Sequence, residues 1–173
     1  VSPGGNLEYG QLFESNSFTL TAALKQMGIQ DVTVVQVKDD LDQLHTVLSQ
    51  IIEAHDLVLI SGGVSVGDYD FTLKALELSE VKTIFHKVKQ KPGKPLLFAV
   101  KSDTVIFGLP GNPASVLTCF YEYVAEAIGI FTRKAYFEKR TFTLGNSYYK
   151  KSGLTHFVKG KIENEQVFIL EGQ

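Results

Sequence analysis

The sequence predicts an α/β protein: a three-layer domain on a mostly parallel sheet, followed by a partial, small all-β domain. In residues 1–132, short apolar runs typical of buried strands alternate with longer segments whose apolar residues recur at helical spacing. From about residue 133 the helical spacing stops, and short β-like runs separated by Gly or Asn follow. We therefore expect an α/β domain over residues 1–132 and part of a β domain over residues 133–173.

Each element of the first domain has a local signal. Ser15 or Asn16 caps the first helix and Gly28 stops it, while Asn112 and Pro113 begin the last helix, which runs to about residue 128. Apolar stripes predict further helices, and short apolar or valine-rich runs predict strands. The elements between these two helices are a strand over Val32–Val37, a helix over Leu41–Ile52, a strand over Leu57–Ile60, a helix over Phe71–Leu78, and strands over Thr83–Val88, Leu96–Val100 and Thr104–Leu109.

The second part of the chain predicts strands over Tyr136–Leu144, Phe157–Ile162 and Val167–Leu170. So few strands rarely form a stable sheet alone, so we expect them to belong to a larger β domain. The chain also begins in a loop-like stretch and ends directly after a strand-like run. We therefore expect a piece of a longer polypeptide.

The composition is that of a globular protein without a strong charge bias. Of the 173 residues, 44% are hydrophobic, and 17 Lys and Arg face 19 Asp and Glu, a net charge of −2. This balance gives no general attraction to nucleic acid or to an acidic membrane surface. No apolar run approaches the length that spans a bilayer, and the first residues given show no basic segment followed by an apolar core, so we expect neither a membrane span nor an export signal. The lone Cys119 lacks a disulfide partner and fits a core position in a cytoplasmic protein.

A glycine-rich turn follows the strand that ends at Ile60. The stretch from Ser61 to Asp70 reads Ser-Gly-Gly-Val-Ser-Val-Gly-Asp-Tyr-Asp and leads into a predicted helix. Glycines let backbone N–H groups face an anion closely, and the helix start adds partial positive charge. The turn therefore predicts a phosphate and metal cradle, with a plain surface turn as the alternative.

Two more polar loops directly follow predicted strands. Asp39 comes after the valine-rich run, and the Pro-Gly-Asn-Pro loop of residues 110–113 comes after Leu109. Ligands of parallel sheets bind beyond the carboxyl ends of the strands. We therefore expect these two loops and the glycine turn to gather on one rim.

A row of lysines precedes a second proline-rich turn. On an extended backbone Lys87, Lys89 and Lys91 would share one side, with Lys94 reaching in from the turn. Ammonium groups beside a glycine turn favour phosphate or another oxyanion as the ligand. The alternative is an edge strand whose lysines prevent aggregation.

The acidic residues predict a Mg²⁺ site. Asp39, Asp68 and Asp70 could supply one or two carboxylates, and Mg²⁺ takes its other ligands from water and substrate phosphates. The alternative for Asp39 and Asp40 is helix capping. The four histidines show no metal-ligand spacing, which favours ordinary surface or core positions.

Three motifs occur together in one order: residues 61–67 followed by Asp70, Lys-Pro-Gly-Lys-Pro at 91–95, and Gly-Leu-Pro-Gly-Asn-Pro at 108–113. Together they resemble the molybdopterin molybdenumtransferase family, of MoeA and gephyrin E-domain type, from about residue 7 to the end of the chain. The resemblance implies the MogA/MoaB-like molybdopterin-binding fold and an enzyme of molybdenum cofactor biosynthesis. Such an enzyme takes adenylylated molybdopterin and molybdate, inserts the metal and releases AMP with Mg²⁺ assisting.

The resemblance also assigns roles to residues. It implies catalytic roles for Asp39, Asp70, Lys87 and Lys91, and metal binding by Asp39 and Asp70. The implied substrate-binding residues are Ser61, Gly62, Gly63, Ser65, Gly67, Lys94, Pro110, Gly111, Asn112 and Pro113. It further implies a homodimer for the full-length protein, and little or no activity for a piece that lacks the family's acidic segment and amino-terminal domains.

Two other functions stay open. A molybdopterin adenylyltransferase of MogA/MoaB type would share the α/β fold, although its glycine turn usually reads Gly-Gly-Thr-Gly and it needs no trailing β segment. A non-catalytic scaffold of gephyrin type would use the same fold to bind a protein partner.

Overall fold

The computed structural model describes residues 4–5, 8–10, 13–62 and 69–170, with only the backbone of Tyr69 and Asp70. The helices are α1 (Asn16–Gln26), α2 (Leu41–Ala54), α3 (Tyr69–Leu78), α4 (Pro113–Cys119) and α5 (Ala125–Thr132). The strands are β1 (Leu57–Ser61), β2 (Lys82–His86), β3 (Gln90–Lys91), β4 (Leu97–Lys101), β5 (Thr104–Leu109), β6 (Thr143–Leu144), β7 (Thr155–His156), β8 (Gly160–Glu163) and β9 (Gln166–Ile169).

The central sheet has the order β1-β5-β4-β2. Strands β1 and β5 are parallel, whereas β4 pairs antiparallel with both β5 and β2. The sheet is therefore mixed. The antiparallel pairing of β4 with β5 follows from the short turn between them, which can only join antiparallel neighbours.

Helices cover both faces of this sheet. Side chains alternate along a strand, so Phe107 and Ile106 of β5 point to opposite faces. Phe107 packs in a core with α1, α4 and α5, while Ile106 packs in a second core with α2 and α3. The three-layer α/β prediction is confirmed.

The predicted strand over Val32–Val37 is wrong. These residues belong to no strand, and the side chains of Val34 and Val35 are 58% and 48% exposed. Valine favours an extended backbone, but a strand also needs a neighbour for its N–H and C=O groups. In the part of the chain that the structure describes, β1 pairs only with β5, and no strand lies against these valines.

Another predicted strand, Thr83–Val88, is shorter than expected. Strand β2 ends at His86, because Lys87 adopts a left-handed backbone with φ of 67°. A strand cannot continue through such a residue.

A long helix follows the proline loop and fills the core. Its α4 and α5 portions are joined by a π-helical turn over Phe120–Val124. By length and composition the 20-residue stretch Pro113–Thr132 could cross a membrane, contrary to the sequence analysis. Its apolar side is instead part of the core, where Val116, Phe120 and Val124 are fully buried.

Residues 133–170, hereafter the β segment, contribute strands to two small sheets. Strands β6, β9 and β8 make one sheet, and β7 pairs in parallel with β3 from the first part of the chain. Most of the β segment is exposed. The helix before it ends at Thr132, with Arg133 in a left-handed conformation, at the predicted domain boundary.

Candidate functional site

Two predicted loops leave the sheet side by side. Ser61, the last residue of β1, pairs in register with Leu109, the last residue of β5. Because these strands are parallel, Gly62 and Pro110 start from the same edge of the sheet. The Ser61 hydroxyl oxygen is buried and lacks a hydrogen-bond partner among the described residues. Gly63, Ser65 and Gly67 lie outside those residues.

The proline loop is anchored at both ends. The Asn16 side chain at the start of α1 donates to the Gly111 carbonyl at 2.9 Å. The Asn112 side chain accepts from the backbone N–H of Ala114 at 2.9 Å and of Ser115 at 3.3 Å. Asn112 and Pro113 therefore cap and begin α4 as the sequence predicts.

The lysine loop, residues 87–96, closes on itself through backbone bonds. The N–H of Lys87 donates to the Leu96 carbonyl, and that of Val88 to the Lys94 carbonyl, each at 2.9 Å. The lysines at 87, 89, 91 and 94 are all exposed. They do not follow one continuous strand, so the expected row along a single strand does not form.

The β segment is attached directly to the lysine loop. Besides the β3–β7 pairing, the Thr155 N–H donates to the Lys89 carbonyl at 2.8 Å and the Phe157 N–H to the Lys91 carbonyl at 2.9 Å. This contact was not predicted, because pairing between residues so far apart in the sequence leaves no local pattern.

A cleft of about 650 Å³ opens between the two parts. One wall comes from the lysine and proline loops with α4, and the other from the β segment. Ten of its lining residues are Lys91, Asn112, Ser115, Thr118, Asn146, Ser147, Tyr148, His156, Phe157 and Lys159.

Fifteen residues line the cleft in all, and the other five are Pro92, Ala114, Val158, Ile169 and Leu170. Of the fifteen, Lys91 and Lys159 carry the positive charge, one on each wall. Two cations facing one concave space favour an anionic ligand.

A histidine and a tyrosine of the β segment also face this cleft. The Tyr148 hydroxyl and the Nδ1 atom of His156 are 2.7 Å apart and hydrogen-bonded. The sequence predicts only an ordinary surface or core position for His156. No local sequence signal indicated that His156 would lie beside the lysine loop.

Of the acids predicted to bind Mg²⁺ or to cap α2, only Asp39 and Asp40 have side chains among the described residues. Asp39 is exposed in the turn before α2, and Asp40 caps that helix by accepting from the Gln43 N–H at 2.8 Å. The capping alternative is thus confirmed for Asp40. The side chain of Asp70, like the whole of Asp68, lies outside the described residues. Among the described residues, no three His, Cys, Asp or Glu side chains form a group able to hold a metal ion.

Cys119 lies behind the lysine loop rather than in the cleft. Burial raises the pKa of its thiol to about 12, with a hydrogen bond from Gln90 acting in the opposite direction. The thiol therefore stays protonated at neutral pH and is a poor nucleophile. This agrees with the core position expected from the sequence.

The fold and the order of the three loops along the chain point to one class of protein. The family model described as "Probable molybdopterin binding domain" matches residues 1–129. The chain belongs to this molybdopterin-binding domain family, and its similarity to molybdopterin molybdenumtransferases confirms the resemblance seen in the sequence.

Particular relatives can be named. The chain is 39% identical over 125 residues to a molybdopterin molybdenumtransferase of Nostoc sp., covering 70% of this chain and 29% of that protein. It is 32% identical over 157 residues to one of Staphylococcus epidermidis, covering 90% of this chain and 38% of that protein. The solved MoeA structure from Pyrococcus horikosii superposes with a TM-score of 0.74 at 25% identity, covering 99% of this chain and 42% of that one. The chain thus spans well under half the length of these relatives.

Proposed function

We propose that the chain is part of a molybdopterin molybdenumtransferase, which inserts molybdate into adenylylated molybdopterin and releases AMP. The observation that carries this proposal is the cleft, because it joins two of the predicted motifs to the β segment around a pair of cations. The named activity of the relatives supports the same reaction. The full-length protein is proposed to act as a cytoplasmic homodimer.

In this proposal the residues of the cleft bind and orient an anionic substrate. Lys91 contacts a phosphate or the tetrahedral molybdate, offsetting charge that would otherwise oppose their approach. Lys87 and Lys94, exposed on the same loop, contribute to the positive potential outside the cleft. Ser61 and Gly62 at the strand edge, with Pro110 to Pro113, bind the remainder of the pterin nucleotide.

Mg²⁺ is part of the proposal. Asp39 and Asp70 would each offer one carboxylate, a number that suits an ion whose other ligands are water and substrate phosphates. When bound, Mg²⁺ would neutralise charge on the phosphates whose bond is broken.

The β segment favours this reaction over the adenylyltransferase alternative. It supplies one wall of the cleft, including Tyr148, His156 and Lys159. A stand-alone adenylyltransferase domain has no need of such a wall. The scaffold alternative gains no specific support from the described residues.

The test uses the full-length protein that contains this chain. Binding of adenylylated molybdopterin is measured by calorimetry, and AMP release after addition of molybdate is measured by chromatography. Lys91→Ala should weaken binding by about 1.5–3 kcal/mol, the usual contribution of a hydrogen bond to a charged group. Lys89→Ala is the matched control, because Lys89 is exposed on the same loop but does not line the cleft. Equal losses in the two variants, or no AMP release by the parent, would contradict the proposal.

A further inference from the structure

A polar cluster around the buried Gln90 side chain lies directly behind the lysine loop. The Tyr123 hydroxyl donates to the Gln90 side-chain oxygen. The Gln90 side-chain nitrogen donates in turn to the Gly93 carbonyl at 3.2 Å and to the Cys119 sulfur at 3.6 Å. The Gln90 side chain thereby connects the lysine loop to the long helix, and also to the far side of the same loop.

Gln90 and Lys91 are the two residues of β3, and they point in opposite directions. Gln90 is only 3% exposed, whereas Lys91 is exposed and lines the cleft. Because successive side chains of a strand lie on opposite faces, holding Gln90 inside the protein directs Lys91 outward. The Phe157 N–H bond to the Lys91 carbonyl holds the same residue from the β segment.

The lysine loop also packs tightly against α4 at Gly93. A Cβ atom added to Gly93 would lie 2.5 Å from the Cys119 sulfur and 2.8 Å from the Gln90 side-chain nitrogen. The contact therefore leaves little room for the loop to shift along the helix.

The π-helical turn decides where the Tyr123 hydroxyl lies. Tyr123 belongs to the five-residue turn Phe120–Val124 inside an otherwise α-helical segment. A π turn inserts an extra residue and changes which side chains face a given direction, and such turns are frequent at functional sites. Here the turn places a tyrosine against the only amide side chain of the lysine loop.

We propose that Gln90 and Tyr123 are positioning residues that hold Lys91 toward an anionic ligand in the cleft. This inference rests on the proposed function, because it assumes that the ligand of Lys91 is the pterin nucleotide. Neither residue touches that ligand, and both act through the backbone of β3.

The test is a double-mutant cycle in the full-length protein, with adenylylated molybdopterin as the ligand and calorimetry as the readout. Tyr123→Phe removes only the hydroxyl and should weaken binding about 2- to 12-fold, as expected for loss of one hydrogen bond. In a Lys91→Ala background the same change should have almost no further effect, because the residue that Tyr123 positions is already missing. Gln90→Met, which keeps the side-chain length but removes the amide, should show the same dependence on Lys91.

Tyr136→Phe is the matched control. The Tyr136 hydroxyl donates to the Thr132 side chain at 3.1 Å at the end of α5, away from the lysine loop. It should leave binding unchanged even if it lowers the unfolding free energy as much as Tyr123→Phe does. Urea unfolding of all variants separates loss of stability from loss of positioning.

The outcomes distinguish the two proposals. A parent that does not bind the pterin nucleotide overturns the proposed function and this inference with it. A parent that binds through Lys91 but is insensitive to Tyr123→Phe overturns the inference alone. Equal fold-losses with and without Lys91 would show that Tyr123 acts on the general fold, which also overturns the inference.

Discussion

The two walls of the cleft differ in how they are held. The wall formed by α4 and the lysine loop rests on a core in which Phe120, Val116 and Leu96 are fully buried. The β segment that forms the other wall is mostly exposed and is attached near the cleft by backbone bonds at Lys89 and Lys91. Ligand binding at such a site should therefore be lost in two ways: by disruption of the core beneath the first wall, or by detachment of the β segment.

The largest expected difference between the two walls is in how much each apolar side chain contributes to stability. Phe120→Ala should lower the unfolding free energy by about 3–5 kcal/mol, because it removes a fully buried ring and leaves a cavity. Ile162→Ala in β8, where the side chain is 58% exposed, should lower it by less than about 1 kcal/mol. Urea unfolding monitored by circular dichroism measures both. Similar losses would mean that the β segment is packed as firmly as the α/β part.

The second prediction tests the close approach of the lysine loop. Gly93→Ala should destabilise the protein by about 1–3 kcal/mol through overpacking, beyond the strain of a side chain at φ of 89°. Gly153→Ala in the β segment is the matched control, since its φ is 100° but nothing lies within 4 Å of the added Cβ. The difference in unfolding free energy between the two variants isolates the clash. If the two variants lose equal stability, the loop has room to move.

The third prediction concerns the helix that carries the packed wall. Asn112→Ala removes the side-chain oxygen that accepts from two backbone N–H groups, and should cost about 0.5–2 kcal/mol of stability. Asn112→Asp keeps an acceptor and serves as the control, although its added charge faces the cleft. We therefore expect Asn112→Asp to retain stability in urea unfolding while weakening binding of an anionic ligand. Retained stability in Asn112→Ala would show that the cap contributes little.

Local signals in the sequence predicted much of the packed wall. The positions of the α1 and α4 starts and of the α1 stop were predicted, because such signals depend on neighbouring residues. The predicted cap of α1 was wrong, however: Ser15 makes no side-chain cap hydrogen bond, and the Glu14 carboxylate accepts from the Ser17 N–H instead. The strand predicted over Val32–Val37 was wrong, because a strand also needs a neighbouring strand, which local propensity does not reveal.

Features that depend on distant contacts could not be predicted in the same way. The β3–β7 pairing, and with it the place of His156 in the cleft, joins residues far apart in the sequence. The left-handed Lys87 and the π turn at Tyr123 are set by packing around them rather than by their own preferences. The wall formed by α4 and the lysine loop could therefore be predicted from local sequence, whereas the wall formed by the β segment depends on contacts between distant residues.

The smallest predicted effect is a pH dependence of the free energy of unfolding, caused by His86 where β2 meets the lysine loop. Burial, and then the positive charge of Lys87, hold the pKa of His86 below its usual range. The unfolded chain therefore binds a proton at His86 more readily than the folded chain does, so the free energy of unfolding falls as pH drops below about 6.5. His86→Gln should remove this part of the pH dependence, measured by urea unfolding between neutral and mildly acidic pH. Lys87→Met should reduce it less, because Lys87 is the second cause and burial remains. An unchanged pH dependence in both variants would mean that acid acts on stability through other groups.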